Sequence, residues 1–136
     1  MQLVLLDPLA QLTNEDRDLL WRHQDYCRQF PYCLPKIVAS TDYSSSRNVQ
    51  QLYKLICEWP DLEPEVGLEL LDPKYCDPVV REYAVSQLLQ LSDEDLMHYL
   101  FPLTQVLKAE PLHDSPLGLC TIIQNFCRFL MLGKKK

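Results

Sequence analysis

Six cysteines and three histidines are the residues of this chain that could bind a metal ion. A structural zinc site needs two pairs of Cys or His ligands, and the members of each pair lie close together in the sequence. Cys27 and Cys33 come nearest to such a pair, but five residues separate them and the sequence offers no second pair. The pattern therefore predicts no metal site.

Catalysis by a cysteine nucleophile would need a histidine base. The sequence places none of His23, His98 and His113 beside a thiol. We expect each cysteine instead to be a small buried hydrophobic residue. The six cysteines are Cys27, Cys33, Cys57, Cys76, Cys120 and Cys127.

Two clusters of carboxylates could supply a general acid and a general base, one at Glu15, Asp16 and Asp18 and the other at residues 93–95. Both clusters fall in the first turn of a predicted helix, where negative charge stabilises the helix dipole. With three glycines in all, the sequence also lacks a glycine-rich loop that would hold phosphate groups. We therefore expect no catalytic residue and no cofactor in this chain.

The composition is that of a folded globular domain, with 47% hydrophobic and 24% charged residues among 136. A formal net charge of -6 argues against a nucleic-acid partner, because phosphate binding needs a basic surface. The first residues lack the basic region of a secretory signal, so the scattered cysteines fit a reducing cytoplasm.

An apolar stretch from Leu117 to Leu132, followed by a basic tail, is the one segment that could contact a membrane. It is too short to span a bilayer, and Gln124, Asn125 and Arg128 interrupt it. A helix that packs on its neighbour is the preferred interpretation, and an amphipathic helix on an anionic surface is the alternative.

Prolines and polar clusters divide the chain into segments with the helical period. Thr13 and Asp16 predict a capping box at the start of a first helix, which runs to about Arg28. Pro31 can begin a second helix, and a third ends near Glu58 because a proline cannot continue it. The predicted buried positions of the three helices are Leu19, Leu20, His23, Tyr26 and Cys27, then Leu34, Ile37 and Val38, then Val49, Leu52, Tyr53, Ile56 and Cys57.

In the second half, Pro64 begins a short fourth helix that reaches residue 71, and Pro78 begins a fifth that runs to about Leu91. A sixth follows Ser92 and either kinks or breaks at Pro102. A last helix is predicted from Pro116 towards residue 132. The fifth helix is predicted to bury Val80, Tyr83, Ala84 and Leu88, with Leu91 beside them.

Helices of this length joined by short turns predict an all-α fold, a right-handed α-α superhelix of antiparallel helix pairs like a HEAT or armadillo solenoid. The chain is divided accordingly into a leading segment of residues 1–12, a helical domain of residues 13–117, and a C-terminal helix with a basic tail over residues 118–136.

Short motifs spread from about Asp7 to Leu117 carry a family resemblance. In the first half they read Asp7-Pro8-Leu9, Leu19-Leu20-Trp21, Leu34-Pro35-Lys36, Trp59-Pro60 and Leu68-Glu69-Leu70-Leu71-Asp72. In the second half they read Asp77-Pro78, Val80-Arg81, Tyr83-Ala84-Val85, Asp93-Glu94-Asp95-Leu96, Tyr99-Leu100 and Gln105-Val106-Leu107-Lys108-Ala109-Glu110. In this order they resemble the helical accessory (PIK) domain of phosphoinositide 3-kinase catalytic subunits.

The resemblance implies a spine between the lipid- and Ras-binding modules and the kinase domain of an enzyme that phosphorylates the 3-hydroxyl of phosphatidylinositol lipids with ATP. It implies a non-catalytic scaffold that contacts the other domains of that kinase and a regulatory subunit, in the cytoplasm and with recruitment to membranes. An unrelated adaptor-like helical-repeat module is the alternative.

The resemblance also implies a regulatory-contact surface, at Gln11, Asn14, Glu15, Asp16 and Asp18. In the class I form regulated by a Src-homology 2 subunit, acidic residues stand where this chain has Gln11 and Asn14, so that particular contact is not expected. The neighbouring carboxylates would still supply negative charge. The stretches Leu20-Trp21 and Glu110-Pro111-Leu112-His113-Asp114-Ser115 look as much like the G-protein-coupled class I branch, and the subclass stays open.

After Leu117 the sequence departs from the family pattern, which indicates a truncated or alternatively terminated form. A repeat array that ends without a polar capping helix exposes an apolar face, so we expect the chain to self-associate.

Overall fold

A computed structural model describes residues 7 and 9–109, with side chains to residue 106. The described elements are α1 (Asn14–Arg22), α2 (Gln24–Cys27), a 3-10 helix (Pro31–Cys33), α3 (Leu34–Ser40), α4 (Ser46–Cys57), α5 (Pro64–Glu69), α6 (Pro78–Leu88), α7 (Asp93–His98) and α8 (Leu100–Ala109). No strand occurs among these residues, and the predicted all-α class is confirmed. The arrangement as a superhelix of antiparallel pairs stays a prediction.

The chain divides into two compact units, Met1–Val66 and Gly67–Lys136. The last predicted helix, the basic tail and the boundary at residue 118 lie outside the described residues.

The first helix begins with the predicted capping box. The Thr13 hydroxyl accepts the Asp16 backbone amide at 3.2 Å, and the Thr13 amide donates to the Asp16 carboxylate at 3.0 Å. These bonds satisfy two amides that a helix start otherwise leaves without partners.

The prediction of one continuous helix to Arg28 is wrong, because the backbone leaves the helical region at His23 (φ -106°, ψ 26°) and α2 starts afresh. The break changes which positions face inward. Leu20 and Cys27 are buried as predicted, whereas Leu19, His23 and Tyr26 are exposed. A straight helix would have kept all five on one side.

The core of the first unit lies around α3, against which α1 packs. The predicted inner positions of α3, which are Leu34, Ile37 and Val38, are all buried. In α4 the buried stripe is Leu52, Leu55 and Ile56, and it continues to Trp59 just beyond the helix. Cys57 is exposed, and Val49 and Tyr53 are half-buried, because this stripe is centred on Leu55 and Ile56 rather than on the predicted positions.

In the second unit, Asp77 caps α6. Its carboxylate accepts the backbone amides of Val79 at 2.8 Å and Val80 at 3.3 Å. Pro78 then occupies the first helical position, where no amide hydrogen is needed. Of the predicted inner positions, Val80, Ala84 and Leu88 are buried, while Tyr83 and Leu91 are half-buried, and the helix ends at Leu88 rather than at Leu91.

The region around Pro102 breaks rather than kinks. Ser92 caps α7, which ends at His98. Tyr99 (φ -96°, ψ 4°) is its C-cap, and α8 begins at the next residue. Pro102 is therefore in the first turn of α8, where an amide hydrogen would have no intrahelical acceptor. The break before Pro102 lets the proline stay in a helix without disturbing it.

Candidate interaction surface

The predicted regulatory-contact surface lies at the start of α1. Gln11, Asn14, Glu15 and Asp18 are exposed, and Asp16 is half-buried. Hydrogen bonds from the Thr13 hydroxyl (2.7 Å) and the Thr13 amide lower the pKa of Asp16 below the ordinary carboxyl value. Asp16 is therefore engaged in holding the helix start, and Glu15 and Asp18 are the carboxylates that a partner could reach.

A second surface lies along the segment from α2 to the 3-10 helix, together with Glu58 at the end of α4. We call it the α2 face, and it consists of Tyr26, Arg28, Phe30, Tyr32 and Glu58. The centroid of the Phe30 ring lies 5.6 Å from that of the Tyr26 ring, in an edge-on arrangement, and 5.8 Å from that of the Tyr32 ring. Tyr26 is 51% exposed and Tyr32 is 41% exposed. Amphipathic aromatic side chains of this kind are enriched at protein interfaces.

The charged edge of the α2 face is an ion pair between Arg28 Nη1 and Glu58 Oε2 at 3.0 Å. Both side chains are well exposed, so the pair adds little to stability. With Asp25, Gln29 and Pro60 they line a shallow open groove. The ion pair therefore offers a partner one donor and one acceptor side by side.

Trp59 connects the α2 face to the core of the first unit. Trp59 is 6% exposed, and its indole Nε1 donates to the carbonyl oxygen of Pro31 at 3.2 Å. The end of α4 is thereby tied to the 3-10 helix that carries Tyr32. The face consequently rests on the core of the first unit.

Cys27 and Cys33, which the sequence separates by five residues, are both fully buried. The two thiols lie near enough to influence each other's ionisation. Cys27, together with burial, raises the pKa of the Cys33 thiol, and Cys33 lowers the pKa of the Cys27 thiol.

The expectation that each cysteine is buried is confirmed for Cys27 and Cys33. It is wrong for Cys57 and Cys76, which are exposed. Cys57 is the last residue of α4, and Cys76 lies in the irregular backbone before α6. Cys120 and Cys127 lie outside the described residues.

Metal binding and membrane crossing both depend on the arrangement of side chains and helices in the described part of the chain. Among those residues, no group of three His, Cys, Asp or Glu side chains is placed to hold a metal ion. None of the described helices is both long and apolar enough to cross a bilayer.

A buried guanidinium organises the second unit. Arg81, on α6, is 7% exposed, and its Nη1 donates to the carbonyl oxygens of Leu71 (3.1 Å), Asp72 (3.3 Å) and Tyr75 (3.1 Å). Burial lowers the pKa of Arg81, and the nearby Asp72 carboxylate opposes that shift. The group stays protonated because an arginine does not titrate in the ordinary range. The three hydrogen bonds hold the loop between α5 and α6 against the Arg81 side chain.

The comparisons with known proteins agree with the motifs in the sequence. The model of the phosphoinositide 3-kinase family accessory domain (PIK domain) matches residues 1–132. The chain belongs to this family.

The PIK-domain chain is similar to two proteins of Dictyostelium discoideum. It is 41% identical to phosphatidylinositol 3-kinase 1 over 117 residues, which are 86% of this chain and 7% of that protein. It is 38% identical to phosphatidylinositol 3-kinase 3 over 133 residues, which are 97% of this chain and 8% of that protein. The chain thus spans less than a tenth of the length of these relatives.

Sequence reasoning about the PIK domain missed the residues that shape its surfaces. Arg81 and Lys36 were seen as parts of family motifs, and nothing in their spacing marked them as buried. A weak sequence signal for the α2 face was present. Phe30 and Tyr32 flank Pro31 between two predicted helices, and aromatic residues in such a connecting segment can indicate an interaction surface. Nothing in the sequence indicated that Cys27 and Cys33 lie near each other, because that depends on the irregular backbone between them.

Proposed function

We propose that this chain is the non-catalytic helical scaffold of a phosphatidylinositol 3-kinase, which organises the other domains of that enzyme and contacts a regulatory partner. The observation that carries the proposal is the match to the PIK-domain family over residues 1–132. The similar proteins are named as phosphatidylinositol 3-kinases, and most of their length lies outside the matched region. Family membership excludes the alternative of an unrelated helical-repeat module.

The buried cations support the scaffold role, because a scaffold must hold its surface segments in fixed positions. Lys36 donates to the Ala10 carbonyl at 3.1 Å and so attaches the segment before α1 to α3. Arg81 does the same for the loop before α6, through three carbonyls. Both segments are irregular backbone that would otherwise be mobile.

The start of α1 supports a contact with a basic regulatory partner. Glu15 and Asp18 are exposed, and the positive end of the helix dipole does not cancel two carboxylates. We infer that these two residues carry the electrostatic part of the contact, with Gln11 and Asn14 as hydrogen-bonding neighbours. Asp16 contributes least, since its oxygens already accept bonds from Thr13.

The decisive experiment is a domain replacement. The region of Dictyostelium discoideum phosphatidylinositol 3-kinase 1 that matches this chain is replaced by residues 1–132, and formation of 3-phosphorylated phosphatidylinositol from ATP is measured. We expect the chimera to retain most of the lipid kinase activity, and this chain alone to have none. Activity from the chain alone would overturn the non-catalytic assignment, and a folded but inactive chimera would overturn the scaffold assignment.

Two sets of variants in the chimera separate the parts of the proposal. Leu70→Asp places a charge in the core of the second unit and should abolish activity, because the scaffold no longer folds. Glu15→Lys with Asp18→Lys should weaken co-purification of the kinase's regulatory partner, and the effect should diminish at high salt. Glu82→Lys, an exposed charge reversal on α6, is the matched control and should leave that co-purification unchanged.

A further inference from the structure

One wall of the groove in the α2 face is a single helical turn. Asp25, Arg28 and Gln29 line this wall at positions i, i+3 and i+4, a spacing that places side chains on the same side of a turn. The turn is closed by the Arg28 amide, which donates to the Gln24 carbonyl at 3.0 Å, and by the Gln29 amide, which donates to the Tyr26 carbonyl at 3.2 Å. The backbone of this wall is therefore held in place by hydrogen bonds.

The other wall of the groove follows the end of α4. Glu58 and Pro60 line it, and both are exposed. Trp59, between them, is buried, and its indole donates to the Pro31 carbonyl. Because this bond ties the second wall to the 3-10 helix, both walls of the groove are in place before any partner binds.

The size of the groove indicates what kind of ligand it suits. Its volume is about 300 Å³, and it is open to solvent. Pockets that bind small molecules measure roughly 300 to 1,000 Å³ and enclose most of the ligand surface. This groove is at the lower end of that range and is not enclosed, so it suits a single side chain from a protein segment.

The lining of the groove is negatively charged. Asp25 and Glu58 contribute two carboxylates and Arg28 contributes one guanidinium, which leaves one net negative charge. Two more exposed carboxylates, Asp61 and Glu63, follow this wall directly in the chain. The surface potential around the groove therefore favours a cationic side chain.

The ion pair in the groove shows how a guanidinium binds there. Arg28 Nη1 bonds to Glu58 Oε2 at 3.0 Å. Since a carboxylate can accept about four hydrogen bonds, Glu58 keeps the capacity to accept a second guanidinium. Tyr26 is 51% exposed and adjoins Asp25 in α2, so its ring offers a face on which a guanidinium can stack.

We propose that the groove of the α2 face binds an arginine side chain from an extended basic segment of a partner protein, with the guanidinium on Asp25 and Glu58 and against the Tyr26 ring. Arginine is preferred to lysine because the planar guanidinium bonds carboxylates in fixed directions and stacks on an aromatic ring at the same time. The inference goes beyond the contact proposed at the start of α1, since it uses none of the residues of that surface. Its test does not depend on lipid kinase activity.

The test uses the full chain and a fluorescein-labelled peptide of four arginine–proline repeats, and binding is measured by fluorescence anisotropy. Proline keeps the peptide extended, so that each arginine is presented separately. Two comparison peptides replace every arginine, one by lysine and the other by citrulline, which is planar but uncharged. We expect the affinity to fall by about threefold with lysine and by at least about tenfold with citrulline. No measurable binding of the arginine peptide, or equal affinity of the arginine peptide and either replacement, would overturn the proposal.

Two double variants separate the groove from the overall charge of the chain. Asp25→Asn with Glu58→Gln should weaken binding of the arginine peptide by at least about tenfold. Glu15→Gln with Asp18→Gln removes the same charge at the start of α1, and this matched control should bind within about twofold of the parent chain. All four positions are exposed, so both variants should unfold at the same urea concentration as the parent. An equal loss of affinity in the two variants would mean that overall charge alone attracts the peptide, and the proposal would fail.

The role of the aromatic ring has a test of its own. Tyr26→Ser should weaken binding of the arginine peptide by about threefold, because the guanidinium loses the ring on which it stacks. Tyr43→Ser, at another exposed tyrosine of the first unit, is the control and should leave the affinity unchanged. Unchanged affinity in Tyr26→Ser would contradict the stacking contact.

A second copy of this chain is the other occupant that the groove could have, and light scattering distinguishes it. We expect the parent chain and the variant with Asp25→Asn and Glu58→Gln to have the same molar mass in solution, because the ligand of the groove is a different protein. A parent that forms dimers and a variant that is monomeric would assign the groove to a second copy and would overturn the proposal.

Discussion

Among the described residues, each compact unit buries one cationic side chain against backbone carbonyls, and the two differ in how many carbonyls they bind. The first unit buries Lys36 and the second buries Arg81. Among the described residues, Lys36 Nζ donates to the Ala10 carbonyl, whereas Arg81 Nη1 donates to three carbonyls in the turn at residues 71–75. The guanidinium is planar and presents its donors in fixed directions, while the ammonium is a compact point charge on a flexible stem. An arginine can therefore bind several carbonyls of one loop at once, whereas a lysine here attaches a single backbone segment.

The largest effect is expected for Arg81→Met, which removes the donor from three carbonyls in a buried turn. We expect the free energy of unfolding to fall by about 3 kcal/mol, because carbonyls that lose a charged donor in the interior stay unsatisfied. Urea unfolding of the full chain measures the change, and hydrogen exchange should rise mainly at residues 71–75. Arg81→Lys is the control, and a loss as large as that of Arg81→Met would show that donor geometry, rather than charge, is what matters.

A smaller loss is expected for Lys36→Met, which keeps the apolar stem and removes one hydrogen bond. The free energy of unfolding should fall by about 1 kcal/mol, since the half-buried Ala10 carbonyl can accept a water molecule instead. Faster hydrogen exchange should be confined to residues 9–12. Lys54→Met, at an exposed position of α4, should have no such effect. If Lys36→Met costs as much as Arg81→Met, the comparison between the two cations fails.

The helix caps extend the comparison, because Asp77 caps α6 while Thr13 and Asp16 cap α1. Thr13→Ala should lower the free energy of unfolding by about 1 kcal/mol, a typical value for an N-cap residue. It should also remove a pH-dependent part of stability. Since the pKa of Asp16 is lower in the folded than in the unfolded chain, its contribution is present above the ordinary carboxyl value of 3.8 and is lost as the pH falls through the lowered value.

Acid titration of unfolding, compared between the parent chain and Thr13→Ala, measures this part. The stability of the parent should fall more steeply than that of the variant at pH values below 3.8. Parallel curves over that range would show that Asp16 does not depend on Thr13.

The smallest effect is expected for Gly67→Ala in α5, and it has the opposite sign. A Cβ atom at this position would meet the Leu88 side chain at 3.6 Å, which is an ordinary van der Waals contact. Alanine also restricts the unfolded chain more than glycine, so stability should rise by about 0.5 kcal/mol in urea unfolding. A loss of stability would mean that α5 and Leu88 are packed too tightly in the second unit to accept a methyl group.

Much of the helix pattern could be predicted, because local chemistry decides it. The Thr13–Asp16 box and the proline at position 78 act within one turn of the residue concerned, and the structure has both where they were expected. The break at His23 could not be predicted, since neither proline nor glycine lies there and the local sequence favours a helix on both sides. The same break moved Tyr26 to the surface and so created part of the α2 face.

The two candidate surfaces also differ in how far local sequence predicts them. Glu15 and Asp18 are exposed near the start of α1, where carboxylates are common because they interact favourably with the helix dipole. The Arg28–Glu58 pair joins residues thirty positions apart, and no periodicity connects them. That contact exists because the C-terminal ends of α2 and α4 lie close together in the fold.

The sequence by itself determined the helical class, most helix starts and the family, since caps, prolines and short motifs act through neighbouring residues. The tertiary structure alone decided which cations are buried, which cysteines are buried and which aromatic rings form a surface. Those outcomes depend on backbone segments that are distant in sequence and meet only after the core has formed. A lysine or an arginine looks the same in the sequence whether it lies in water or binds the carbonyls of a loop, and packing settles which it does.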